Sequence, residues 1–159
     1  PLYQHELDLI LKEYDHVIVV SQYDEILQYA AQRGALSILC LESIHGLSYS
    51  IKAAVNYLNT LEKPFRMIFM VADQPYISMN TIDKLMHTKH KLASCAYKDK
   101  AGNPTLFDSS YIPELLLLKE DQGGRKVLNK HPDEVEYIQV ENVKELYDID
   151  YQEDLKQLQ

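Results

Sequence analysis

The run Met67-Ile68-Phe69-Met70-Val71-Ala72, followed at once by Asp73-Gln74-Pro75, decides how this chain is read. Six apolar residues in succession, with no polar alternation, suit a strand covered on both faces. That is the condition of a largely parallel sheet between two helical layers. Asp-Gln-Pro then breaks the run with turn chemistry. Outward from this strand the hydrophobic period keeps switching. Val17-Ile18-Val19-Val20 is a shorter β-branched run of the same kind, and Leu36 to Leu41 reads as a strand after it. Leu7, Ile10, Leu11 and Tyr14 repeat at helical spacing, as do Ile51, Ala54, Val55 and Leu58. Ser21 with Asp24 resembles a capping box for a helix over Tyr23 to Gln32 that stops at Gly34.

Downstream, Ser78 is placed to cap a helix that buries Met79, Ile82, Leu85 and Met86. Leu92 to Tyr97 reads as a strand, Lys98 to Pro104 as a polar turn region, and Tyr111 to Leu118 as a helix. Gly123-Gly124 breaks the chain before a short helix through Leu128. Val135, Tyr137 and Gln139 alternate with Glu136, Ile138 and Val140, as in a strand nearer an edge. Asp150 with Glu153 looks like the cap of a last helix over Tyr151 to Leu158. Alternating strands and helices imply right-handed crossovers and a three-layer α/β domain.

The chain has 159 residues, one domain's worth, with 24 acidic and 16 basic side chains and a net charge of −8. That balance excludes a general nucleic-acid binder, which needs a basic footprint. No stretch of ~20 apolar residues offers a membrane span. Cys40 and Cys95 stand alone in apolar runs and read as reduced, buried thiols, so the expectation is a cytoplasmic protein. The six histidines show no zinc-ligand spacing.

Ligands of open parallel sheets bind beyond the carboxyl ends of the strands. Three places qualify here. His45-Gly46-Leu47-Ser48-Tyr49-Ser50-Ile51-Lys52 opens a helix with a glycine and hydroxyls, suited either to an anion or to plain capping. Asp73 ends the central strand, either as a hard oxygen ligand for Mg²⁺ or as a turn aspartate. Asp150 in Asp148-Ile149-Asp150 is a second metal candidate, or only an N-cap. Asn103 in Gly102-Asn103-Pro104 presents an amide to a ligand or belongs to a turn. Gly123-Gly124-Arg125 offers backbone N–H groups and a guanidinium to an anion, or marks a helix boundary. Lys119-Glu120-Asp121 reads as a solvated face.

In this order and spacing the motifs resemble the MobA-like nucleotidyltransferase family, nearest its molybdenum-cofactor cytidylyltransferase branch. The likeness rests on Gly46 to Lys52, Asp73-Gln74-Pro75, Gly102 to Phe107, Gly123-Gly124-Arg125 and Asp148-Ile149-Asp150, and spans nearly all of residues 1–159. It implies a Rossmann-like fold with a mostly parallel sheet, and an Mg²⁺-dependent transfer of CMP from CTP to molybdopterin with release of pyrophosphate. It further implies that Asp73 and Asp150 hold Mg²⁺. Gly46, Ser48 and Ser50 would lie against the nucleotide, and Asn103, Gly123, Gly124 and Arg125 would face the acceptor. The sequence departs from the family pattern at Ala72, where glycine is usual, and at Tyr151-Gln152, where Thr-Pro is usual. The family's first strand and its phosphate-binding loop have no counterpart, so the domain is expected to be N-terminally incomplete. An unfilled sheet position favours association, with a second copy or with a molybdenum enzyme. The competing expectation is a non-catalytic nucleotide-binding or interaction module that assists maturation of a molybdenum enzyme.

Overall fold

The computed structural model describes residues 1–148; the expected last helix and Asp150 lie outside them. Helix α1 (Leu2–Glu13) leads into β1 (Ile18–Ser21), α2 (Asp24–Gln32) and β2 (Leu36–Leu39). Helix α3 (Leu47–Leu58), β3 (Arg66–Phe69) and α4 (Met79–Met86) follow. Then come β4 (Leu92–Tyr97), β5 (Lys100–Asp108), α5 (Ile112–Leu115), α6 (Gly124–Lys130) and β6 (Val135–Gln139). No described helix is long and apolar enough to cross a membrane.

The fold is α/β and Rossmann-like, with its strands in two ladders. β1 and β2 pair in parallel, and the other four lie in the order β3-β5-β4-β6. Within the larger ladder β5 runs antiparallel to both neighbours, while β4 and β6 are parallel. So β3, β4 and β6 share one direction, and β5 alone is reversed. Side chains alternate between two apolar layers, as a pleated sheet requires. Met67, Leu92 and Phe107 enter the layer of Val55, Leu115 and Leu128, whereas Ala93, Cys95 and Leu106 enter that of Leu85 and Leu146. A third cluster joins Leu7 of α1 to Ala30 and Ala35. Both cysteines are free and buried. Burial, with the charge of Glu145 added, pushes the Cys95 thiol up to about 12, so it stays protonated at neutral pH.

Four local expectations are corrected. The turn expected over Lys98 to Pro104 is mostly strand: only Lys98 and Asp99 turn between β4 and β5, and Lys98 takes a positive φ of 53°. Pro104 is accommodated because the register jumps from Ser94↔Thr105 to Cys95↔Gly102, leaving Asn103 and Pro104 in a bulge that needs no proline N–H. The same proline shortens β3, the strand expected to be central, which lies at the end of its ladder. Phe69 pairs with Thr105, and the next partner in register would be Pro104, so the ladder stops before Met70. Ser21 makes no capping box; its Oγ accepts from the Tyr23 N–H at 3.0 Å, and α2 starts without a side-chain cap. Finally, β1 is half-buried throughout rather than covered on both faces, because among the described residues only β2 pairs with it.

Phe107 is the largest fully buried side chain among the described residues, packed at 4.9 Å on Phe69. Phe107→Ala is expected to lower the unfolding free energy by roughly 3–5 kcal/mol, seen as a lower urea midpoint at unchanged slope.

Candidate functional site

The turn after β3 is built around a buried amide. Gln74, only 2% exposed, donates both Nε2 hydrogens, to Asn103 O at 2.9 Å and to Glu145 O at 3.0 Å. Glu145 is itself fixed, since its Oε1 accepts from Thr81 Oγ1 at 2.6 Å and from the Ser78 N–H at 3.1 Å. Burial would raise this carboxyl, but the bonds from Thr81 and Ser78 outweigh it and hold it below the usual range. Ser78 caps α4 as expected, its Oγ accepting from the Thr81 N–H. Asp73 is thereby held at the carboxyl end of β3, half-buried, with Oδ1 shielded from solvent.

A second carboxyl reaches this end of the sheet from α1. Glu6 is 5% exposed, and its buried Oε1 has no hydrogen-bond partner among the described residues. Burial, and then the charge of Asp73, push it up to about 8. No sequence signal marked Glu6, which stood on a helical pattern read only for its apolar positions.

Arg125 approaches the same bulge from the other layer. Nη1 donates to Ser94 Oγ at 2.8 Å and Nη2 to Gly102 O at 2.9 Å. Burial lowers the guanidinium pKa. Neither described ion pair, Arg33–Asp8 or His131–Glu114, involves it. Of the glycines before it, Gly124 is required by contact, since a Cβ there would lie 2.6 Å from the buried Phe107 Cζ; one on Gly123 would lie 2.8 Å from Leu47 Cδ2, the movable end of an exposed side chain. Two motifs distant in sequence therefore meet on Gly102-Asn103, Gln74 on the Asn103 carbonyl and Arg125 on the Gly102 carbonyl, while Leu47 lies beside Gly123.

At the start of α3 the candidates separate. Gly46 has a φ of 143°, and a Cβ there would lie 2.3 Å from Glu120 O. That same carbonyl accepts the Ser48 N–H at 3.0 Å, so the segment read as a solvated face closes the helix start with its backbone. Ser48 is fully buried. Ser50 is half-buried, bonded to Ser43 Oγ at 2.7 Å, and lines a groove of about 840 Å³ together with Asn103, Gly124 and Arg125. Asp150 is outside the described residues, so its place beside Asp73 rests on the sequence.

The sequence model of the MobA-like NTP transferase domain matches residues 1–135, so the chain belongs to that family, and it is a nucleotidyltransferase. Among curated proteins none matches it significantly in sequence. Solved structures share its fold. The Rv0371c protein of Mycobacterium tuberculosis superposes with a TM-score of 0.75 at 18% identity, covering 98% of this chain and 80% of that one; a second structure of that protein is a complex with manganese. A nucleotidyl transferase from Methanothermobacter gives 0.76 at 15% identity, covering 98% and 76%. Molybdopterin-guanine dinucleotide biosynthesis protein A from Archaeoglobus fulgidus gives 0.62 at 19% identity, covering 97% and 82%.

Glu6 supplies a pH test. The folded chain keeps the Glu6 proton up to about pH 8, while an unfolded glutamate loses it near 4.5. The unfolded state therefore binds fewer protons in that window, and stability falls as pH rises through it. Glu6→Gln is expected to raise the urea midpoint more at pH 8 than at pH 5. An equal gain at both would contradict the assignment.

Proposed function

We propose that residues 1–159 form one MobA-like domain which, in the cytoplasm, transfers CMP from CTP to molybdopterin and releases pyrophosphate. The observation that carries this reading is the Gln74 clamp. It ties the Asp73 turn to the Asn103 bulge and holds Asp73 at the carboxyl end of β3, where α/β sheets bind ligands. The family membership and the structural likeness to a molybdopterin-guanine dinucleotide biosynthesis protein support it.

The groove beside Arg125 takes the acceptor. Arg125 spends its bonds on two neutral oxygens, so its charge is available to an anionic phosphate. Asn103 and the Gly124 backbone orient the acceptor beside it, and Ser50 faces the nucleotide across the groove. Gly46 and Ser48 act by shape, since their close contact with Glu120 sets the start of α3. A phosphate monoester is largely ionised near neutral pH, its second pKa being about 6, so the acceptor needs no general base. Its oxygen forms a bond to the α-phosphorus as the bond to the bridging oxygen of pyrophosphate breaks. Positioning of the two anions is the main task of the site.

The end of β3 suits a divalent ion, since Asp73 is a hard carboxylate ligand. Asp73 and Asp150 would hold Mg²⁺, which supplies charge neutralisation between the anionic reactants when bound. The manganese complex of Rv0371c supports a divalent metal in the family.

The test mixes the protein, MgCl₂ and molybdopterin with CTP or GTP and measures pyrophosphate. Release with CTP is expected, and Asp73→Asn is expected to reduce it by roughly 100-fold or more at unchanged melting temperature. Release with GTP alone would move the base assignment, and none with either would reject the reaction.

A further inference from the structure

Ser94 stands where the pattern of β4 calls for an apolar side chain. Leu92 and Ala93 enter opposite layers, so the pleat sends Ser94 into the layer that holds Val127 and Leu128 of α6. It is fully buried. A hydroxyl in that position is costly unless bonded, and the partners of this one gather at a single point. Its Oγ accepts from Arg125 Nη1 at 2.8 Å. A guanidinium only donates, so the one hydroxyl hydrogen is left for a carbonyl, and Gly102 O and Cys95 O each lie 3.0 Å away. Arg125 Nη2 donates to the same Gly102 O at 2.9 Å. Two nitrogens of one guanidinium therefore span two oxygens within hydrogen-bond distance of each other. The register jump beside Ser94 makes this possible, because it sets Gly102 opposite Cys95.

The backbone end of Arg125 is fixed as well. Its neighbour Gly124 packs on the buried Phe107 ring so closely that a Cβ would lie 2.6 Å from Cζ. Val127 and Leu128, just beyond, are buried too. Yet the arginine still has donors to offer. Its hydrogen bonds among the described residues use two of the five guanidinium N–H groups. The ionisable groups that bear on it are Tyr137 and Cys95, neither of them a carboxylate. The side chain lines the groove together with Ser50, Asn103 and Gly124.

We propose that Ser94 is a positioning residue of this groove: with the Gly102 carbonyl it holds one edge of the Arg125 guanidinium, so that the remaining N–H groups meet the phosphate of the acceptor. This rests on the reading of the groove as the acceptor's site. It adds that orientation of the arginine, and not its charge alone, sets recognition. A guanidinium is a planar fork, and one already held along an edge loses little side-chain freedom when an anion arrives. A lysine in its place would carry the charge without the fork.

The test follows the arginine side-chain signals of isotope-labelled protein by NMR while inorganic phosphate is added. Arg125 is identified among the three arginines by its disappearance in Arg125→Lys. Separate Nη signals from slowed rotation are expected for Arg125, together with a shift on adding phosphate. In Ser94→Ala the Nη signals are expected to merge, and phosphate to bind roughly tenfold more weakly, the scale of a hydrogen bond to a charged group. In the pyrophosphate assay the same variant is expected to raise the KM for molybdopterin by a similar factor at unchanged KM for CTP. Arg125→Lys leaves Ser94 in place and is expected to weaken phosphate at least as much, read from the phosphorus line width. Phosphate affinity in that variant equal to that of the parent chain would overturn the inference. A lower melting temperature in Ser94→Ala, with Arg125 signals and phosphate affinity unaltered, would make Ser94 a packing residue and also overturn it. So would phosphate that leaves the Arg125 signals unmoved. A phosphate response that depends on Ser94, without pyrophosphate release from either nucleotide, would support this role of Ser94 while rejecting the reaction proposed above.

Discussion

Strand β5 bonds to β3 along one edge and to β4 along the other, and its reversal joins those two otherwise parallel neighbours. Each half of it has a different task. From Thr105 to Asp108 it is regular, and buried as far as Phe107, sending Leu106 into one apolar layer and Phe107 into the other. At Asn103-Pro104 it bulges, and there its backbone accepts rather than pairs. Phe107 in turn supports Gly124, and the bulge carbonyls receive Gln74 and Arg125. The packing that stabilises the sheet and the positions of the candidate groups thus share one strand.

The candidate site consists of backbone oxygens and buried side chains that fix one another. Gln74 would cost a great deal to bury with its amide unpaired, so its two bonds specify the turn that holds Asp73. Glu145 has the same role one layer further out, because a buried carboxylate is tolerable only with donors such as Ser78 and Thr81. Against this framework three side chains stand out: Arg125, whose bonds go to neutral oxygens, and Glu6 and Ser48, whose buried Oε1 and Oγ have no hydrogen-bond partner among the described residues. Arg125 lines the groove assigned to an anion, Glu6 stands near Asp73 at the end of the sheet, and Ser48 lies at the start of α3.

Much of this was legible in the residues. The helical spacing around Ile82 and Leu85 reflects burial, which residue type reports directly, whereas of the apolar run Met67 to Ala72 only Met67 is buried, because β3 stands at the end of its ladder. Ser78 was read as a cap because capping is a local interaction. β5 was missed because glycine, asparagine and proline are turn formers by local preference, and the bulge that admits them depends on the register with β4. The carbonyl of Glu120 was invisible for a similar reason, since every residue has one and only the fold brings this one to Ser48.

The sequence alone determined the alternation of strands and helices, the acidic balance, the family's motifs and the choice of Asp73, since each depends on residue type and short spacing. Tertiary structure alone decided that Gln74 and Arg125 meet at Gly102-Asn103, that Ser50 rather than Ser48 reaches the groove, and that among the described residues β1 pairs only with β2 and β3 only with β5. The physical reason is that these are contacts between segments tens of residues apart, fixed by strand register and by the hydrogen-bond demands of buried groups.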